Sequence, residues 1–260
     1  MMTTLLKHRP VRWTAYALLA LLTLECCARL EDSLRQQAPM NRPHNIDSVF
    51  HDSPEGRQGR PGARFAKWSM NSLGYRSPEP RPDSSVRILT FGASETFGLY
   101  ESAGNEYPRQ LERELQRRGL SNAEVINIAL PGIRIGHADY LREAIARLQP
   151  QWVLLYPSPA NYIGAENTLC REGAATRPVR MTPSPEQMAP PPPQLHLRLA
   201  GKLTDIVKPL LPLQMTVALK RLSIQRFEAR GEVMDRLPDE QMNRFLSDLS
   251  CTARVAESMG

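Results

Sequence analysis

The stretch that most constrains the fold runs from Val86 to Gly98. Val86 to Phe91 is a short run of β-forming residues that breaks at Gly92. A turn of small residues then presents one hydroxyl, Ser94, and Gly98 closes it. Helix-forming sequence resumes from about Glu106. A strand, a tight turn carrying a serine and then a helix is how an α/β sheet offers a nucleophile at the carboxyl end of a strand.

The pattern repeats downstream. Tyr107 to Leu115 reads as an amphipathic helix, with Pro108 suited to its first turn and Gly119 to its stop. Glu124 to Ala129 is a short strand of the buried type that runs into Leu130-Pro131-Gly132. Ile135, Asp139, Tyr140, Ile145 and Leu148 fall on a helix that ends before Pro150, and Trp152 to Tyr156 is a third strand. Strands alternating with helices predict parallel βαβ units, hence an α/β fold: a three-layer α/β/α sandwich around a parallel sheet. Thr96 stands where a Gly-x-Ser-x-Gly elbow needs its second glycine, which argues against an α/β-hydrolase arrangement.

Three turns, each after one of these strands, resemble the sequence blocks of the SGNH (GDSL-type) hydrolases. Gly92-Ala93-Ser94, with Gly98 following, is similar to the first block, although Ala93 replaces its acidic residue. Asn127-x-x-x-Pro131-Gly132 resembles the second. Pro159-Ala160-Asn161-Tyr162 falls where the third belongs; Asn161 matches its asparagine, while Pro159 and Tyr162 depart from its glycine and aspartate. Upstream, Asn71-Ser72-Leu73-Gly74-Tyr75-Arg76 is similar to a stretch found before the serine block in membrane-anchored bacterial members. On physical grounds it is expected to be a turn docked on the sheet edge. The resemblance covers about residues 70 to 162. It implies a flavodoxin-like sheet order, Ser94 as nucleophile, and an oxyanion hole made by the backbone N–H of Ser94, the backbone N–H of Gly132 and the side-chain amide of Asn161.

The rest of the chain is organised around that domain. Basic residues Lys7, Arg9 and Arg12 precede an apolar run, and Val11 to Leu30 has the length that spans a bilayer core of ~30 Å. Glu25 and Arg29, four apart, can pair on one helix face. A cleaved signal peptide competes with an uncleaved anchor. No small-x-small cleavage site follows the run, and Glu25 before Cys26 spoils a lipobox, so the anchor is the expectation. Residues 1–10 are then cytoplasmic, 11–30 a transmembrane signal anchor of the bacterial inner membrane, 31–82 an irregular connector rich in Pro, Gly and Arg, and 83–260 a periplasmic α/β domain. Within that domain, about 163–236 holds a proline-rich loop and a helical insertion. The insertion is expected to cap the sheet, with contact at the membrane surface as the other reading. Met242, Phe245, Leu246, Leu249, Ala253 and Ala256 mark a closing amphipathic helix from Asp239 to Met259.

Composition excludes some chemistry. Net charge is +6, from 28 Arg and 5 Lys against 27 acidic residues, but the arginines are scattered rather than clustered with aromatics, so no nucleic-acid partner is expected. No cysteine or histidine spacing suggests a metal, and no cofactor is expected. Cys170 and Cys251 are the only cysteines beyond the anchor, and an oxidising compartment would let them pair, leaving Cys26 and Cys27 as thiols. Asp47 and His51, four apart, read as a solvated loop, and His137 as a surface or packing residue.

The family's base comes from an Asp-x-x-His near its carboxyl terminus. None of His8, His44, His51, His137 and His196 has an aspartate three residues before it. The sequence stops on a helix-capping glycine, so an N-terminal fragment of a longer protein or a chain truncated by a frameshift is expected, ahead of a complete non-catalytic domain. Two functions stay open: a membrane-anchored periplasmic serine esterase or acyltransferase acting on an acylated glycan, lipid or small ester, and a catalytically inactive domain that binds a glycan or scaffolds an envelope complex.

Overall fold

The computed structural model describes residues 9–36, 40, 46–53, 56–65, 67–157, 168–170, 182, 185–189, 198–203, 214, 215, 217, 218, 221, 222, 225 and 237–259. The chain divides into two compact units, one of residues 1–45 with 192–235 and the other of 46–191 with 236–260. The helical segment after the proline run thus groups with the N-terminal helix.

In the first unit, α1 runs from Arg9 to Gln36. Its Pro10–Leu34 portion is long and apolar enough to cross a membrane, and its side chains from Pro10 to Leu24 are exposed. The Glu25–Arg29 pair forms, at 2.8 Å. Cys26 and Cys27 are free and exposed.

The second unit is mixed α/β around a three-stranded parallel sheet. Its central strand β5, Val86–Gly92, is flanked by β6, Ala123–Asn127, and β7, Trp152–Tyr156, which gives the order β6-β5-β7. The register sets Thr90 beside Asn127 and Gly92 beside Tyr156. Between the strands lie α2, Ser94–Phe97, α3, Tyr107–Arg117, and α4, Ala138–Leu148. A one-turn helix, α5, spans Pro185–Met188, and α6 spans Asp239–Ser258 and packs on α4. The core gathers Leu89 and Phe91 from β5, Ile126 from β6, Phe97 and Leu141. Complete burial of a Leu, Ile or Phe is worth about 1.5–3 kcal/mol, so these side chains hold the sheet to its helices.

Two regions differ from expectation. Residues 46–82 read as an irregular connector, yet they build part of this unit. A 3-10 turn at Ile46–Val49 leads into the hairpin β1, Phe50–Ser53, with β2, Gly56–Gly59; a second hairpin pairs β3, Arg64–Phe65, with β4, Trp68–Ser69. Val49, Phe50, Met70 and Tyr75 are buried in the sheet's own core, and that burial fixes the segment despite its Pro and Gly content. In α6 the apolar stripe is only part of the buried face: Phe245 is buried and Leu249 and Ala256 pack against the core. Leu246 is exposed, whereas Asp248 and Thr252 are buried, because Thr252 Oγ1 donates to the Ile135 carbonyl and Asp248 Oδ1 accepts the N–H groups of Leu169 and Cys170. Gly136 makes room for that carboxylate: a Cβ there would lie 2.5 Å from Asp248 Cγ. Beside it, Cys170 and Cys251 are joined in a disulfide, their Cα atoms 6.0 Å apart.

Candidate functional site

Ser94 opens α2, two residues beyond the end of β5. The turn is tight for a steric reason. A Cβ on Gly92 would lie 2.2 Å from Thr96 Oγ1 and 2.9 Å from the Tyr156 carbonyl oxygen, so only glycine fits between the serine turn and β7. Thr96 itself is fully buried, and this is the residue that replaces the elbow's second glycine. The Ser94 hydroxyl stays at the half-buried surface and donates to Glu95 Oε2 at 3.1 Å.

The carboxyl end of this turn is gripped from two directions. Asn127, fully buried at the end of β6, donates through Nδ2 to the Thr96 carbonyl at 2.9 Å and accepts the Ala129 N–H through Oδ1. Arg76 Nη1 donates to the carbonyls of Phe97 and Gly98 at 2.7 and 2.6 Å. These are carbonyls that a short helix cannot satisfy internally. The Arg76 guanidinium also lies over the Phe97 ring, 5.0 Å from its centroid, and Nη2 sits 3.6 Å from Glu106 Oε2, both side chains being buried. Burial pulls the Arg76 guanidinium below its ordinary range, and the Glu106 carboxylate opposes that. Gly98 has φ of 75°, in the left-handed region, and a Cβ there would meet Glu106 Cβ at 2.6 Å.

Arg76 reaches the turn because Asn71 folds the preceding segment. Asn71 Oδ1 accepts the N–H groups of Leu73 and Tyr75, and its Nδ2 donates to the Pro78 carbonyl. The same segment closes the free edge of β6. Ser77 Oγ accepts the Asn127 N–H, Glu112 of α3 accepts the Val125 N–H, and Arg81 donates to the Ala123 carbonyl. An edge strand with its polar groups occupied resists pairing with another chain. The sheet-edge docking expected for this stretch is therefore present. Its second target, the serine turn, has no signature in the sequence.

Gly132 lies in the loop after β6. The Leu130 N–H bonds the Gly92 carbonyl at 3.3 Å, which carries that loop along the end of β5. Ile133 N–H then bonds the Leu130 carbonyl at 3.1 Å, with Pro131 and Gly132 between them and Gly132 at φ of 81°. Pro followed by a positive-φ Gly is the signature of a type II turn, so conformation rather than crowding requires this glycine. Ser94 and Gly132 thus follow the carboxyl ends of neighbouring strands. Asn161, five residues beyond the end of β7, lies outside the described residues.

The face of β7 beside the turn is apolar and open. Trp152, Leu154 and Tyr156 alternate outward and are exposed, with the Tyr156 ring 5.9 Å from that of Tyr107. Burial raises the Tyr107 phenol above its ordinary value, against a hydrogen bond to Thr96 that lowers it. A small cleft elsewhere in the unit is lined by Gln58, Tyr75, Tyr140, Glu143 and Arg147, and neither Ser94 nor Gly132 lines it. Burial pushes the Tyr75 phenol up to about 12, so it serves there as a neutral hydroxyl. Among the described residues no group of three or more His, Cys, Asp or Glu side chains is gathered to hold a metal ion.

No protein-family model matches the chain, and no curated protein matches it.

Proposed function

We propose that the protein is a serine esterase or acyltransferase of the SGNH type, held at a bacterial inner membrane by α1 with its α/β domain in the periplasm. The observation that carries this reading is the position of Ser94: a half-buried hydroxyl on a braced turn at the end of the central strand of a sheet ordered β6-β5-β7. That order makes β5 and β7 a topological switch point, the crevice where open α/β sheets bind ligands. Right-handed crossovers would put α3 and α4 on opposite faces and complete a three-layer α/β/α sandwich.

In this reading Ser94 Oγ attacks the carbonyl carbon of an ester. The hydroxyl proton passes to a base and then to the departing alkoxide as the acyl–oxygen bond breaks. Water or a sugar hydroxyl then takes the acyl group from Ser94 Oγ. The backbone N–H groups of Ser94 and Gly132 and the amide of Asn161 would hold the oxyanion, each such donor being worth about 10²–10³ in rate. The reading needs an imidazole base, and no histidine of the 260 residues follows an aspartate at the family's spacing. The 260-residue chain alone is therefore expected to show residual turnover only.

A second reading, a non-catalytic glycan-binding or scaffolding domain, is favoured by the Ser94 hydroxyl being engaged by Glu95 instead of a base. One experiment separates the two. Protein purified from its own membranes, at whatever length it is made there, is assayed on a short aryl ester. The enzyme reading expects hydrolysis that Ser94→Ala abolishes. Undiminished hydrolysis in Ser94→Ala removes Ser94 from the chemistry, and no hydrolysis in either protein supports the binding domain.

The periplasmic placement draws on the basic residues before the span and on the Cys170–Cys251 disulfide, which suits an oxidising compartment. Alkaline phosphatase fused after residue 60 should be active and β-galactosidase fused there inactive; the reverse would place the domain in the cytoplasm.

A further inference from the structure

The outer half of α1 is not bare. After a run of exposed side chains from Pro10 to Leu24, Glu25, Ala28 and Asp32 are buried at spacings of three and four, a single stripe on one helix face. The helical residues 198–203 engage that stripe. Glu25 Oε1 accepts the Arg198 N–H at 3.0 Å and Oε2 the Leu199 N–H at 2.9 Å, so one carboxylate of α1 holds two successive backbone N–H groups of this stretch. The Arg198 guanidinium pairs with Asp32, and Lys202 Nζ lies 2.7 Å from Glu31 and 3.0 Å from Asp32. Three acidic residues near the end of the apolar span are thereby matched by backbone N–H groups and two basic side chains.

This clasp fixes a depth. A bilayer core of ~30 Å takes about 20 helical residues, so a core entered near Pro10 is left near Arg29. Glu25 to Asp32 then lie at the outer interface, where charged groups with partners are tolerated. Whatever is tied to them lies at headgroup level.

Beyond residue 203 the chain has the composition of an interfacial segment. Lys208, Lys220, Arg221, Arg226 and Arg230 face only Asp205 and Glu228 in sequence up to residue 230. The described positions 214, 215, 217, 218, 221, 222 and 225 are helical and exposed. Met215, Ala218 and Leu222 share the three-then-four spacing of one helix face, and Leu203 is exposed as well. Apolar side chains left open on one helical face beside a basic one suit a membrane surface.

We propose that the described residues between 198 and 225 make a second, interfacial membrane contact, clasped to the outer end of α1 and resting on the anionic phospholipid of the bilayer that α1 crosses. Leu203, Met215 and Leu222 enter the acyl boundary and Arg221 meets lipid phosphate. The contact rests on α1 spanning the membrane.

The test uses the full chain with Cys26→Ser and Cys27→Ser, reconstituted in phosphatidylcholine vesicles with or without phosphatidylglycerol. A nitroxide is placed in turn on Leu18→Cys, Met215→Cys, Leu222→Cys and, as the aqueous reference, Tyr100→Cys. Collisions with oxygen and with a water-soluble nickel chelate report depth. In anionic vesicles the labels at 215 and 222 should show several-fold lower nickel accessibility than the label at 100, at a depth shallower than the label at 18. If 215 and 222 match 100 while 18 sits in the core, the interfacial contact is overturned and the anchor stands. If 18 is itself aqueous, the anchor fails and the contact with it. If neutral and anionic vesicles shield 215 and 222 equally, the claim for anionic lipid is overturned.

Discussion

Arg76 Nη1 lies 2.7 Å from the carbonyl oxygen of Phe97, across 21 residues of chain, and bonds the next carbonyl as well. A residue upstream of the sheet thus holds the far end of the turn that begins at Ser94. Removing it as Arg76→Ala leaves the Glu106 carboxylate buried without its cation. Loss of one partner of a buried pair typically costs about 3–5 kcal/mol. The expected outcome is a drop of that size in urea unfolding, with partial recovery when Glu106→Leu is added to Arg76→Met. An Arg76→Ala protein as stable as the parent would show that the pair does not brace the turn.

Ser94→Ala should behave in the opposite way. The hydroxyl is half-buried and its bond goes to Glu95, an exposed side chain. Substitutions at such sites shift stability by no more than about 0.5 kcal/mol. Circular dichroism and the unfolding midpoint should match the parent, and any loss of ester hydrolysis then belongs to chemistry. A shift of several kcal/mol would mean that Ser94 is structural.

The disulfide joins residues 81 apart. Closing a loop of that size restricts the unfolded chain by about 4.5 kcal/mol, within a usual range of ~2–5. Cys251→Ser should lower the unfolding free energy by that amount, and a reducing agent should do the same to the parent but not to the variant. Equal midpoints for oxidised and reduced parent would mean that the pair does not form.

His137 sets a pH dependence. Burial, helped by the positive charge of Arg134, holds its imidazole below the ordinary value of 6.5, against an opposing pull from Asp248. The folded pKa is the lower one, so the unfolded chain binds more protons in the interval between the two. The His137 contribution is then complete above about 6.5 and is lost as pH falls from there toward the folded pKa. Unfolding midpoints should decline from pH 7 toward pH 5.5, and less steeply in His137→Gln. Identical slopes would place the imidazole in water.

Much of the fold is legible in the sequence. Trp152 to Tyr156 and Val86 to Gly92 are short runs rich in aliphatic, β-branched and aromatic residues, bounded by Gly or Pro, and they are strands over almost those residues. The disulfide follows from counting cysteines. The hairpins of residues 50–69 are not legible, because β3 and β4 are two residues each and too short to carry a period. Nor is the target of Arg76, since a side-chain bond to carbonyls 21 and 22 residues away has no local signature. Phe245, Leu249 and Ala256 of the α6 stripe do face the core, but polar groups widen the buried face: Asp248 and Thr252 turn inward to satisfy backbone of Leu169, Cys170 and Ile135. Apolar spacing alone cannot report that.

The joining of Cys170 to Cys251 also sets a clock. At ~5–20 residues per second, Cys251 is synthesised roughly 4–16 s after Cys170. Over that interval the Cys170 thiol has no native partner, Gly136 faces no Asp248 carboxylate, and the Ile135 carbonyl lacks the Thr252 hydroxyl. The sheet can assemble while the chain is still emerging, but its covering helix arrives later, so the half-built domain must be kept from wrong thiol partners for seconds. Nascent chains arrested before Asp239 should accordingly be cleaved by protease around Ile135, and chains arrested well past Ser258 should not.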